Sequence, residues 1–111
     1  MRVHAGAHPS TMDVTVRNSS YCGLLTVSGE LDIETAPQLT KVLDWLCQQP
    51  HHQVTVDLRQ VTFIDSSGLG ALIRAQHALA AESGRLVLSG PSRPVHHLLD
   101  ITGLGREFAL Q

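Results

Sequence analysis

The chain has 111 residues, room for one compact domain and not for two. A hydrophobic share of 42% excludes a disordered polymer, and a formal charge of -2, with eight Lys and Arg scattered along the chain, excludes a nucleic-acid binder steered by charge. No apolar run approaches the ~18 residues a membrane span needs, and Met1 to Thr11 is polar without a signal-peptide core, so the expectation is a cytoplasmic protein with no direct membrane insertion.

Residues 1–11 read as a flexible N-terminal arm, because Gly6, Pro9 and the isolated His4 and His8 offer little to bury; they are alternatively extra sequence ahead of a start at Met12. The domain proper is expected over residues 12–111. Met12, Val14 and Val16 alternate with Asp13, Thr15 and Arg17, the period of a half-buried strand. Asn18-Ser19-Ser20 supplies a turn, and a second strand runs from Cys22 to Ser28, which makes an antiparallel hairpin. Gly29-Glu30-Leu31-Asp32 leads to a first helix with Thr35 as N-cap, Gln38 completing a capping box and Pro37 in the first turn. Leu39, Val42, Leu43, Leu46 and Cys47 form its apolar face, and Pro50 ends it. Trp45 is an exposed anchor or a flank of the core, and the core is the reading adopted. His51 and His52 fall in a linker.

Val54 to Leu58 is a β-branched strand expected to be buried on both faces, and Val61 and Phe63 extend the apolar signal to Ile64. Asp65-Ser66-Ser67-Gly68-Leu69-Gly70 opens a second helix bearing Leu69, Leu72, Ile73, Leu79 and Ala80, with Gly84 as its C′ residue. Leu86-Val87-Leu88 is a short strand, Gly90-Pro91 a turn, and Ser92 caps a third helix carrying Val95, Leu98 and Leu99 that ends at Thr102-Gly103. Phe108 to Leu110 forms a last edge strand. The order β-β-α-β-α-β-α-β implies an α/β fold: a mixed sheet with an opening antiparallel hairpin, then parallel strands joined by right-handed crossovers, with three or so helices packed against it.

The informative segment is Asp65 to Gly70, where a buried strand gives way to a helix, the place where α/β sheets hold their sites. A hydroxyl at a helix start is held in a fixed position, and a phosphoryl group added there carries about -1.5 to -2 charge facing the positive end of the helix dipole. Such a modification changes the surface and spares the fold. Three readings of Ser66 and Ser67 follow from spacing alone: phosphoacceptor, plain N-cap, or catalytic serine. The last lacks a G-x-S-x-G elbow. Neither Gly68-Leu69-Gly70 nor Gly103-Leu104-Gly105 completes a phosphate-binding loop, and Lys41, the single lysine, is distant in sequence. The adjacent pairs His51-His52 and His96-His97 lack the spacing of a helical metal site, so no metal is expected. Cys22 and Cys47 form no CxxC and read as two reduced thiols.

Phe63-Ile64-Asp65-Ser66-Ser67-Gly68-Leu69-Gly70 resembles the signature of the anti-sigma factor antagonist (STAS domain) family. Gly29-Glu30-Leu31-Asp32 through Thr35-Ala36-Pro37 is similar to the family's loop before its first helix. Val54 to Leu58 stands at the usual distance ahead of the signature. Pro94-Val95-x-x-Leu98-Leu99 with Thr102-Gly103-Leu104 resembles the family's third helix. The match spans about Met12 to Leu110. The family usually has a further helix after the last strand, for which Gln111 leaves no room.

The resemblance implies a single STAS-type domain, not an enzyme, with no cofactor and no catalytic residue. It implies Ser66 as phosphoacceptor of an anti-sigma factor that is itself a serine kinase, a phosphatase that resets Ser66, and no nucleic-acid partner. Glu30, Asp32, Asp65, Ser67, Gly68 and Leu69 are the partner-binding residues it implies. The alternative function is a STAS accessory subunit of a membrane transporter, or a nucleotide- or lipid-sensing module on the same fold.

Overall fold

The alternation of Met12, Val14 and Val16 becomes a strand over Met12–Asn18 in which all three apolar side chains are buried. The computed structural model describes residues 1–5, 10–19, 22–50 and 53–111. Among these, the elements in chain order are β1 (Arg2–Ala5), β2 (Met12–Asn18), β3 (Cys22–Leu31), α1 (Ala36–Cys47), β4 (Gln53–Ile64), α2 (Ser66–Ala81), β5 (Arg85–Ser89), α3 (Arg93–Thr102), a 3-10 turn over Leu104–Glu107 and β6 (Ala109–Leu110). The strands form one sheet whose spatial order is their chain order. β1, β2 and β3 pair antiparallel, and β3, β4, β5 and β6 pair parallel. The expected mixed α/β sheet with its opening hairpin is the observed one.

Successive parallel strands that step the same way across a sheet, joined by right-handed crossovers, place their helices on one face. The core follows that rule. Inward side chains of β2, β3 and β4 (Val14, Leu25, Val27, Val54, Val56, Leu58) join Leu39, Leu43 and Leu46 of α1, Leu69 and Leu72 of α2, and Val95 and Leu99 of α3 in one buried cluster. On the opposite face Thr26, Ser28, Thr55 and Asp57 are only half-buried. β4 therefore alternates inward and outward residues, which corrects the expectation of burial on both faces. Its pairing with β3 shifts register between Thr26 and Ser28 and again between Gly29 and Glu30, two irregularities in the ladder ahead of Asp65.

Other expectations are corrected in detail. The arm expected over residues 1–11 contains β1, with Arg2 opposite Thr15 and Ala5 opposite Met12; residues 6–9 lie outside the described residues, as do His51 and His52. Trp45 is 43% exposed and stands off the buried stripe of α1. Ala80 is exposed, while Ala71 and Ala75 complete the inward face of α2. The left-handed residue that ends α2 is Ser83, with φ 63°, and not Gly84. Cys22 and Cys47 are both free thiols.

Candidate functional site

Ser66 stands at the carboxyl end of β4, as the first residue of α2. The side chain that caps this helix is Asp65, in an extended conformation (φ -121°, ψ -171°). Its Oδ1 accepts the backbone N–H of Ser67 at 2.8 Å and of Gly68 at 3.3 Å. This corrects the reading of Ser66 or Ser67 as the cap. Because a carboxylate satisfies the free N–H groups of the first turn, neither serine hydroxyl is drawn into capping. Ser66 is exposed and its hydroxyl has no hydrogen-bond partner among the described residues; Ser67 is half-buried.

The loop after β3 lies against this helix start. Leu31 pairs with Ile64, Glu30 pairs with Phe63, and the N–H of Asp65 donates to the Leu31 carbonyl at 3.1 Å. A Cβ on Gly68 would sit 2.7 Å from both the Cβ and the carbonyl oxygen of Leu31, so only glycine permits this approach. Thus Gly68 is buried against β3 and Leu69 is 2% exposed in the core. Neither residue places an exposed side chain on this surface, and the bare Cα of Gly68 lets the start of α2 rest against β3.

Glu30 and Asp32 flank the same seam with different commitments. Glu30 accepts from the N–H of Thr11 at 3.4 Å at the exposed edge of the loop. Asp32 receives the Ser10 hydroxyl on one oxygen, and on the other the N–H of Glu34 at 2.9 Å and of Thr35 at 3.3 Å. The Ser10 hydroxyl, followed by these backbone donors, holds the Asp32 carboxyl below its ordinary value despite the opposing effect of desolvation. Thr35 is the N-cap residue of α1 without the expected capping box: its hydroxyl donates to the Glu30 carbonyl at 2.6 Å and ties the loop to β3 instead.

α1 and α2 run side by side, and between their amino-terminal halves lies a shallow groove of about 280 Å3 lined by Ile33, Ala36, Pro37, Thr40, Ser66, Ser67 and Arg74. Sequence reasoning passed over Ile33, which is 75% exposed, and Arg74. Ile33 falls in a turn, outside any periodic run. The signal for Arg74 was its spacing: Ser66, Gly70 and Arg74 recur every four residues along one side of α2. A larger hollow of about 500 Å3 lies at the other ends of these helices, beside Cys47, Pro50, Leu79 and Gly84. Burial, with a smaller contribution from Asp44, pushes the Cys47 thiol up to about 11, so it is no nucleophile near neutral pH. Among the described residues no three His, Cys, Asp or Glu side chains gather into a metal-binding group, and no helix is long and apolar enough to cross a membrane.

The family model described as "Mlab, STAS domain" matches residues 14–111, nearly the whole chain. The protein belongs to the STAS domain family. This STAS chain is 41% identical over 78 residues to an anti-sigma-B factor antagonist of Staphylococcus epidermidis, covering 70% of this chain and 72% of that protein. It superposes on an anti-sigma factor antagonist from Mycobacterium paratuberculosis with a TM-score of 0.82 and 26% identity, covering 94% of this chain and 88% of that one. The anti-sigma factor antagonist SpoIIAA shares the STAS fold in its unphosphorylated form (TM-score 0.76, 23% identity, 88% of this chain and 87% of that one). The phosphorylated form of the Bacillus protein does so too (TM-score 0.70, 22% identity, 88% and 90%).

Proposed function

We propose that this STAS domain is an anti-sigma factor antagonist: a binding switch that sequesters an anti-sigma factor kinase while Ser66 is unmodified and releases it once Ser66 is phosphorylated. The observation that carries the reading is the Ser66 hydroxyl, exposed and unbonded at the start of α2 because Asp65 performs the capping. Relatives named as anti-sigma-B factor antagonists support it, as does a fold neighbour described in both phosphorylated and unphosphorylated forms.

In the transfer, Oγ of Ser66 attacks the γ-phosphorus of ATP held by the kinase. The bond from that phosphorus to the β,γ-bridging oxygen breaks, ADP leaves, and the hydroxyl proton passes to a base on the kinase or to water. A phosphatase reverses the state by adding water across the Oγ–phosphorus bond and releasing inorganic phosphate. The new group brings about -1.5 to -2 charge to a rim that already carries Glu30 and Asp65, so a partner fitted to the unmodified surface meets repulsion and a desolvation penalty. The amino-terminal turn of α2 tolerates the same charge.

Glu30, Asp65 and Ser67 form the rim that meets the partner, and Asp32 shapes the loop carrying Glu30. The test is mass spectrometry of the chain after incubation with its anti-sigma factor kinase and ATP. One phosphate on Ser66 is expected, and phosphate elsewhere or none contradicts the reading. Co-purification separates the transporter alternative: a small ATP-binding kinase supports the switch, and an ABC-type ATPase supports an accessory subunit.

A further inference from the structure

We propose that Arg74 is the internal counter-ion of the phosphoryl group on Ser66, reaching back over Gly70 to hold it in the groove between α1 and α2. This rests on Ser66 being the phosphoacceptor and concerns what receives the group once it is there.

Three observations carry the inference. First, Arg74 and Ser66 line the same groove, with Thr40 and Pro37 of α1 on the facing side. Second, the Arg74 side chain runs back along α2 as far as Gly70, in the direction of the turn that carries Ser66. Helical side chains lean toward the amino terminus, and here one terminal nitrogen of Arg74 lies 3.5 Å from the place a Gly70 Cβ would occupy. Gly70 is the residue midway between Arg74 and Ser66, and its missing side chain leaves the path along the helix clear. Third, Arg74 is exposed and makes neither an ion pair nor a side-chain hydrogen bond among the described residues. The other cation near this part of α1, Lys41, does not line the groove.

A guanidinium presents paired N–H donors that match two phosphoryl oxygens, a stronger arrangement than a single ammonium contact. In the unmodified protein Arg74 therefore faces an open groove, available to an acidic or carbonyl group of a bound partner. After phosphorylation it is engaged internally. Modification then acts on binding twice, by adding negative charge and by withdrawing a cation.

The experiment places phosphoserine at position 66 during translation, so that it needs no kinase, and follows the phosphate through its second ionisation by 31P NMR. The charged groups on the elements that meet here are Asp65, which caps α2, Glu30 at the end of β3, Asp32 and Glu34 in the loop after it, and Lys41 of α1. All are common to every variant, so differences report the substituted cation. Arg74→Gln should raise the midpoint by about half a pH unit or more, because a nearby cation favours the dianion. Arg74→Lys should fall between the two, and the gap should narrow at about 1 M salt. Arg85→Gln, a change at the start of β5 beside Gln53, should titrate with the wild-type chain. An Arg74→Gln midpoint coincident with wild type, or an equal rise in Arg85→Gln, overturns the proposal. If the unmodified chain gains no phosphate from the kinase, the functional reading fails instead, and the NMR result still stands on its own.

Discussion

Asp65 and Gly68 divide the work of presenting Ser66. The Asp65 carboxylate receives two backbone N–H groups, and the bare Cα of Gly68 lets α2 rest on Leu31. Asp65→Ala removes the cap and should lower stability by about 1 kcal/mol, read as a fall in the urea midpoint with an unchanged slope; Asp65→Asn should keep most of the wild-type stability, because its amide oxygen accepts the same backbone N–H groups. Were Asp65→Ala as stable as wild type, the cap would not be the helix's anchor. At Gly68 an added methyl meets a side chain and a carbonyl that are both fixed in the sheet. Gly68→Ala should therefore destabilise by about 1–3 kcal/mol, the range for overpacking a fitted site. A neutral result in the same titration would mean that the β3 end yields more readily than its pairing with β4 suggests. The sequence announced a serine at a helix start but not which of three consecutive polar residues caps it. That choice rests on the backbone: extended at Asp65, it aims the carboxylate along the helix and leaves the serines outside.

Among the elements, those with a strong period were the legible ones. The β2–β3 hairpin, the apolar stripe of α1 and the order of alternating strands and helices all appear where the pattern of buried residues puts them. The elements that escaped lack such a pattern. β1 is a short edge strand whose backbone bonds come from β2, so its own composition says little. Thr35 and Gln38 read as a capping box, whereas Asp32 organises the loop ahead of them and the Thr35 hydroxyl binds backward to Glu30. That loop makes a prediction about pH. The Asp32 carboxyl titrates lower in the folded chain than in the unfolded one. Its stabilisation is therefore fully present above the unfolded value, near 4, and is lost as pH falls through the lower folded value. Asp32→Asn should be less stable than wild type at pH 6, with the difference shrinking toward pH 3 in urea titrations. A difference independent of pH would assign the effect to shape alone.

At the scale of the molecule, the helices cover one face of the sheet, and parallel β3, β4 and β5 fix the seam at which Ser66 stands. The site is built on the most deeply buried strands and reaches solvent only at its tip. Charge can therefore change at Ser66 while the core beneath it stays as it is. In the proposed switch this one hydroxyl governs partner binding through charge. That role is tested most directly by calorimetric titration of Ser66→Ala and Ser66→Asp against the anti-sigma factor kinase. The account predicts that Ser66→Ala binds as tightly as the unmodified chain and that Ser66→Asp binds at least tenfold more weakly, about 1.4 kcal/mol. Equal affinity of the two variants would contradict it.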